Sequence, residues 1–351
     1  MTQLQSVVDG RWSQSKQEFQ RLGGIVENAE PRLGITGRGL FPTDPNRPSK
    51  VFCPNHLLLP VRDISLNGDR IEVARNSNLP SEIKNFMNQY YNYFAWGDGA
   101  RISANSFTED LTQASDSTKA LISNLNLLPQ YYFSMSSGEE DSLIRFISTR
   151  AVRYKKEPVL APVWDLLNHS TFSLPFLTSK NGIETPPRKP SGEEIVIKYA
   201  PMMSPLKCWA QWGFACRCIV AYGIPLKIRM SPSQSIICCV AEQGSSSQTI
   251  KSAYIKNNVI YIKSLPVGSM SMALPVSTLK SILCPLGFTQ ESVSRLMRQI
   301  QRINISERLK LATYLHDSTT CSMPELLKAI TLEIELINNS LAEPMLAAQH
   351  F

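Results

Sequence analysis

The sequence of 351 residues lacks the signatures of several large protein classes. No Cys-x-x-Cys occurs among its eight cysteines, and neither His169 nor His316 has the partner spacing of a zinc site, so no metal is predicted. The N-terminal residues contain no apolar core of signal-peptide length, and no window holds about 18 uninterrupted apolar residues. We therefore expect a soluble intracellular protein, cytoplasmic in the first instance, with free thiols and no membrane partner.

Two common enzyme motifs are also missing. Gly37-Arg38-Gly39 begins like a dinucleotide-binding fingerprint, but Pro42 occupies the position of the third glycine. The prolines that follow prevent a helix from starting there, and the fingerprint requires that helix. No Gly-x-Ser-x-Gly is present, which argues against a serine hydrolase. The role of the Gly-Arg-Gly has to be found elsewhere.

The charge balance gives little support to a nucleic-acid partner. The formal net charge is +7, from 36 basic and 29 acidic residues, and this excess is mild. The only tight basic group is "RYKKE" at 153–157, and few aromatic residues are interleaved with it. A solvated surface explains these charges, so nucleic-acid binding is not expected. The hydrophobic content of 43% is enough for one large domain or two modest ones.

Periodicity and turn residues divide the chain into β-rich and helical parts. Helices are predicted over 11–22, 80–94, 137–154, 205–213, 289–316 and 323–346. Short strands are predicted within 24–60, at 192–200 and within 219–284. Asn257-Asn258 is placed as the turn of a hairpin, and Gly213 as the residue that closes a helical turn.

Five short motifs follow one another in a fixed order. They are "GRGL" at 37–40, "STRAV" at 148–152, "PVWDLLNHS" at 162–170, "GEEIVIKYA" at 192–200 and "WGF" at 212–214. Taken singly, each motif has an ordinary structural explanation, such as a glycine turn or a buried histidine with its hydrogen bonds satisfied. Taken in order, the series resembles the SET-domain protein methyltransferases, in the branch of Rubisco large-subunit methyltransferase. The resemblance covers residues 24–66 and 135–214.

The resemblance implies a fold class and a division into domains. The fold is expected to be α+β, with a mainly β SET fold of small twisted sheets and a knot-like threading near Asn168. An N-terminal helix would occupy 1–23 and the SET domain 24–214, split by a helical insertion at about 67–134. Residues 215–351 would form a C-terminal domain that binds substrate or partner, mixed at first and mostly helical afterwards.

The resemblance also implies a cofactor and the residues that hold it. The cofactor is S-adenosyl-L-methionine, and its pocket would be formed by Gly37, Arg38, Gly39, Leu40, Arg150, Asn168, His169 and Phe214. Arg150 would pair with the cofactor's carboxylate, which suits the planar fork of a guanidinium. Tyr199 would be the catalytic tyrosine, while Asp165 and Trp212 would line the substrate channel. The partner is a protein substrate of unknown identity.

Three positions depart from the family pattern. Ala200 replaces the glycine after the tyrosine, Ser204-Pro205 replaces Ser-Asn, and Trp212 replaces a tyrosine. The expected reaction is methyl transfer to a lysine side chain, and a histidine acceptor stays open. The alternative is a non-catalytic SET-like module that binds cofactor or protein and transfers nothing.

Overall fold

The computed structural model describes residues 3–34, 37–135, 138–200, 203–231, 234–238, 253–317 and 323–346. The chain forms two compact units. The first contains residues up to 109 together with 136–201, and the second contains 110–135 together with the chain from 202 onward. Residues 202–214 belong to the second compact unit. The sequence interpretation instead places them in the SET-like domain, which it ends at 214. The predicted domain boundaries stay predictions.

Nine α-helices lie within the described residues. Their bounds are α1 Gln3–Arg21, α2 Ser81–Tyr90, α3 Arg101–Gln113, α4 Asp116–Asn124, α5 Glu139–Arg150, α6 Pro205–Trp212, α7 Leu274–Leu283, α8 Gln290–Asp317 and α9 Pro324–Leu346. A π-helical segment, Tyr91–Ala100, follows α2 directly. Such wide turns are rare in proteins and occur often near functional sites.

The strands are short. Their bounds are β1 Ile25–Glu27, β2 Glu30–Gly34, β3 Gly37–Phe41, β4 Lys50–Pro54, β5 Leu59–Pro60, β6 Ile64–Asn67, β7 Arg70–Val73, β8 Val152–Tyr154, β9 Glu157–Leu160, β10 Asn168–His169, β11 Leu177–Ser179, β12 Gly182–Glu184, β13 Val196–Ile197, β14 Val220–Tyr222, β15 Leu226–Ser231, β16 Gln234–Cys238, β17 Ala253–Lys256, β18 Val259–Ile262 and β19 Pro266–Ser269.

In the first unit these strands form several small sheets. The orders are β1-β4-β12-β11, β5-β9-β8, β2-β3, β6-β7 and β10-β13. All of the pairings are antiparallel except β10–β13, in which Asn168 faces Val196 and His169 faces Ile197. In the second unit the sheets are β15-β16-β18-β17 and β14-β19, and α7, α8 and α9 follow them. The predicted fold class is confirmed: a mixed α+β chain of small sheets with a helical C-terminal region.

Local sequence signals explain several element ends. Ser204 caps α6 by accepting a hydrogen bond from the Lys207 N–H, and Gly213 ends this helix in the left-handed region at φ 84°. Asn257 and Asn258, at φ 50° and 58°, form the tight turn of the β17–β18 hairpin, as predicted. The strand predicted over 192–200 is reduced to the two residues of β13.

Each unit has its own apolar core. In the first unit, Phe19 of α1, Leu40 of β3 and Phe146 of α5 are fully buried in one cluster. In the second, Ile236 of β16 and Leu279 of α7 lie in a cluster with residues of the last two helices. No helix within the described residues is long and apolar enough to cross a membrane.

A buried ion pair ties together four elements of the second unit. Arg308 of α8 donates from Nε to Glu333 Oε2 of α9 at 2.8 Å, and the two side chains are 2% and 1% exposed. Arg308 also donates to the Tyr222 carbonyl at the end of β14, at 2.7 Å. Glu333 Oε1 accepts from the Leu206 N–H in the first turn of α6, at 3.1 Å. Every charge in this cluster therefore has hydrogen-bonding partners.

Glu333→Gln should destabilise the protein by about 3–5 kcal/mol, because it leaves the Arg308 guanidinium buried without its counter-charge. Urea unfolding followed by circular dichroism measures this loss. The matched control is Glu307→Gln, whose partner Lys310 lies 2.6 Å away with a side chain 56% exposed. The exposed Glu307–Lys310 pair should contribute about 0–1 kcal/mol to the free energy of unfolding. Equal losses in the two variants would refute a structural role for the buried pair.

Candidate functional site

The side chain of Asn168 joins three segments that are far apart in the sequence. Its Nδ2 donates to the Arg38 carbonyl of β3 at 3.1 Å and to Glu194 Oε1 at 2.6 Å. The Ile195 N–H donates to the Leu40 carbonyl at 2.7 Å, which ties β3 to the same segment. The Gly-Arg-Gly-Leu, Asn-His and Gly-Glu-Glu motifs therefore meet at one place.

The two glycines of the first motif have different physical roles. A Cβ on Gly39 would lie 1.9 Å from Glu194 Oε1 and 2.8 Å from Asn168 Nδ2, so a side chain there would displace both groups. Gly37 has φ +102°, and a Cβ there would face open space. Position 37 requires glycine because of this backbone conformation, and there is open space next to the backbone at Gly37. The motif forms the strand β3, within the region 24–60 in which short strands are predicted.

Tyr199 and His169 form a pair beside this junction. The Tyr199 N–H donates to His169 Nδ1 at 3.1 Å, which leaves the ring proton on Nε2, near the Thr171 hydroxyl at 3.3 Å. The Tyr199 hydroxyl donates to the Leu167 carbonyl. Burial raises the pKa of Tyr199 well above its usual value, with the charge of Arg150 opposing the shift. The phenol is therefore protonated at neutral pH and cannot act as a general base.

Asp165 is an acidic residue four positions before His169 in the sequence. It follows Val163, whose φ of 71° is unusual for a β-branched residue, and lies in the single 3-10 turn Trp164–Leu166. Tyr90 of α2 donates its hydroxyl to Asp165 Oδ1 at 2.5 Å. Burial raises the pKa of Asp165, while the Tyr90 hydrogen bond and the guanidinium groups of Arg150 and Arg38 lower it.

The guanidinium groups of Arg150 and Arg38 lie near enough to Asp165 to lower its pKa. Arg150, in the last turn of α5, donates to the Thr149 hydroxyl at 2.8 Å and lies over the Phe146 ring at 4.7 Å. Burial lowers its pKa, and Asp165 has the largest opposing effect. Arg38 donates to the Phe94 carbonyl in the π-helical segment. Both arginines remain charged at any ordinary pH.

Two buried hydrogen-bond donors, one on Tyr91 and one on Trp164, lie near Asp165 in space or in sequence. Among the described residues, the Tyr91 hydroxyl and the Trp164 indole N–H are buried and make no hydrogen bond. The Asp165 charge contributes to the raised pKa of Tyr91, which shows that the two groups lie near each other. Buried donors are normally paired in folded proteins. These two atoms are therefore available to the polar groups of a bound molecule.

The remaining predicted site residues lie in the second unit. Trp212, at the end of α6, and Phe214 have rings stacked at 6.0 Å between centroids, with 19° between their planes. Their assigned contacts with cofactor and substrate stay predictions, as does the assignment of Asp165 to a substrate channel. In the first unit, Arg38, Asp165 and Tyr199 lie close enough to Arg150 for their charges to act on its pKa.

Sequence reasoning missed two residues of this site. Glu194 was quoted only as the acidic entry to a strand, and its carboxylate in fact accepts from Asn168. The doubled acidic residue in "GEE" was the available signal, since a charge next to a buried strand needs a partner. Tyr90 carries no such signal, because an aromatic residue on the apolar face of a helix is expected in any core.

No protein-family model and no curated protein matches this chain. Solved structures do match. They include the SET domain of LSMT bound to lysine and AdoHcy, with 12% identity and a TM-score of 0.40, and Rubisco LSMT bound to AdoMet, with 12% identity and a TM-score of 0.42. Each match covers 97% of this chain and 92% of the other. These structures are of the branch that the sequence resembles, at an identity and TM-score too low to support conclusions about function.

Asp165→Asn should change how stability depends on pH. Because the pKa of Asp165 is raised in the folded state, the unfolded chain ionises first, and the wild type loses stability as the pH rises from about 4 through the raised pKa. The substituted amide would keep an acceptor oxygen for Tyr90 and remove this loss. Urea unfolding at a series of pH values measures it. Parallel stability curves for the two proteins would show that burial does not disfavour the carboxylate.

Proposed function

We propose that this chain is a SET-domain protein methyltransferase that uses S-adenosyl-L-methionine and methylates a lysine side chain of a protein. The observation that carries the proposal is the Asn168 junction. One amide links β3 to the segment before β13, across sequence separations of 130 and 26 residues. Tyr199 lies next to this junction through His169. Motifs that the resemblance assigns to one cofactor pocket are thus adjacent in the first unit.

The donor and acceptor groups of the first unit fit the amino-acid end of the cofactor. That end is a zwitterion, with an ammonium and a carboxylate. The Arg38 carbonyl, the Asn168 amide oxygen and the Glu194 carboxylate are acceptors that an ammonium requires. Arg150 supplies a planar cation suited to a carboxylate. The open backbone beside Gly37 would let the rest of the cofactor approach β3.

The chain's own residues meet the needs of methyl transfer. When bound, the cofactor supplies an electrophilic methyl group on a sulfonium. The acceptor lysine must be neutral, although its usual pKa near 10.4 keeps it mostly charged at neutral pH. Burial of the acceptor nitrogen beside the buried Tyr199, together with the positive charge of Arg150, would disfavour the ammonium and ease loss of its proton. The Tyr199 hydroxyl, already donating to the Leu167 carbonyl, offers oxygen lone pairs that can orient the amine and the methyl group.

The alternative function is a SET-like module that binds cofactor or protein without catalysis. This alternative is supported by the three departures from the family pattern, Ala200, Pro205 and Trp212. Labelling of a cell lysate with tritiated cofactor, followed by mass spectrometry of the labelled band, separates the two functions. Binding of cofactor without any transferred label, in every lysate fraction tested, would favour the module.

Asn168→Ala should weaken the binding of S-adenosylhomocysteine by about 1–3 kcal/mol, because it removes the amide that holds the acceptors of the ammonium site in place. Isothermal titration calorimetry measures the affinity. The control is Asn181→Ala, which truncates an exposed asparagine in the β11–β12 turn of the same unit. Unchanged affinity in a folded Asn168→Ala protein would remove Asn168 from the pocket.

Tyr199→Phe should lower the turnover and leave cofactor affinity nearly unchanged, which is the pattern of a group that acts mainly in the transition state. A lost hydrogen bond of about 1–3 kcal/mol corresponds to a rate lower by about 5- to 150-fold. The control is Tyr154→Phe, whose hydroxyl donates to the Ser179 and Lys180 carbonyls. Methylation at the wild-type rate by the Tyr199 variant would disprove the catalytic role.

A further inference from the structure

Three cysteines that belong to no motif of the proposed active site lie together in the second unit. Cys208 Sγ is 3.6 Å from Cys218 Sγ, and Cys216 Sγ is 3.4 Å from Cys218 Sγ. The sulfur atoms of Cys208 and Cys216 also lie within 4.8 Å of each other. The structure therefore places a compact group of sulfur ligands around one point.

Local backbone geometry brings this group together. Cys208 lies in the middle of α6, which ends at Trp212, and Gly213 turns the chain back at φ 84°. Cys216 and Cys218 follow this turn, just before β14. The sequence spacing alone predicted no metal, because Cys208 is outside any short cysteine motif. Helix α6 and the left-handed Gly213 bring Cys208 close to Cys216 and Cys218, which the spacing in the sequence does not reveal.

The distances suit a cation that binds thiolates. A tetrahedral zinc site with Zn–S bonds of about 2.3 Å has sulfur–sulfur edges of about 3.8 Å. The observed separations of 3.4 and 3.6 Å need only a small expansion to reach that edge. Cys208 and Cys218 are buried while Cys216 is half-buried, so the group is reachable from one side.

We propose that Cys208, Cys216 and Cys218 form a binding site for a divalent thiophilic cation of the zinc class. Each thiol loses its proton to solvent as its sulfur binds the metal, and no electron transfer is involved. The fourth position of the tetrahedron is left for a further ligand. The bound ion ties the end of α6 to the chain entering β14, and so stiffens the segment that carries Trp212 and Phe214.

The test uses the full-length chain purified in a phosphine reductant. Inductively coupled plasma mass spectrometry should find about one zinc per chain. Titration of the metal-free protein with Co²⁺ should produce the sulfur-to-cobalt charge-transfer absorption and the strong visible bands of a tetrahedral thiolate site. Absence of the charge-transfer absorption in the wild type would overturn the proposal. A peptide map that finds Cys208, Cys216 or Cys218 in a disulfide in the sample kept in the reductant would also overturn it, because a disulfide sulfur cannot bind the metal as a thiolate.

Substitutions of single cysteines test which side chains bind the metal. Cys216→Ser should weaken Co²⁺ binding by on the order of 100-fold or more, because loss of a ligand exceeds the cost of changing a neighbouring group. The matched control, Cys284→Ser, changes another half-buried thiol of the same unit and should bind like the wild type. Equal Co²⁺ affinity for all three proteins would refute the assignment.

A second measurement needs no variant, and so covers the case in which Cys216→Ser does not fold. Iodoacetamide labelling of the wild type, mapped by mass spectrometry, is carried out with added Zn²⁺ and again with a chelator. Zinc should protect Cys208, Cys216 and Cys218 from labelling and leave the labelling of Cys284 unchanged. Equal labelling of the cluster in both conditions would contradict the site.

Discussion

The candidate site depends on a single side-chain amide. The pairing of β10 with β13 involves only two residues on each strand, which is too short to fix the position of either strand by itself. Asn168 adds one hydrogen bond to the backbone of β3 and one to a carboxylate, and the second is of the stronger, charge-assisted kind. The absence of a side chain on Gly39 makes room for both groups. Glycine, amide and carboxylate therefore form one interdependent unit.

The two buried charge clusters of this protein differ in how completely they are neutralised. In the second unit, Arg308 and Glu333 satisfy each other and the nearby backbone groups, so this cluster is structural. In the first unit, the charges of Arg150 and Arg38 lower the pKa of Asp165, but burial still raises it above its usual value. Two neighbouring donors, of Tyr91 and Trp164, make no hydrogen bond among the described residues. A ligand with charges of both signs would complete such a cluster.

Local rules predicted those parts of the fold that neighbouring residues determine. The Asn257-Asn258 hairpin, the glycine cap at Gly213 and the long C-terminal helices follow from turn chemistry and apolar periodicity, and all are confirmed. The short strands predicted within 24–60 include the one formed by the Gly-Arg-Gly motif, which pairs with β2. The contacts of Glu194 and the grouping of Cys208 with Cys216 depend on tertiary structure. Their partners are distant in the chain or on another element, and no local pattern records them.

The division of the chain has a consequence for its synthesis. The polypeptide leaves the first unit after residue 109, returns at 136 and leaves again after 201. Helix α4, with Ile122 fully buried, packs against α8 in the second unit. On a ribosome that adds about 5–20 residues per second, α4 waits roughly 10–30 s before α8 has been made. During that time the face of α4 that packs against α8 has no partner on the nascent chain.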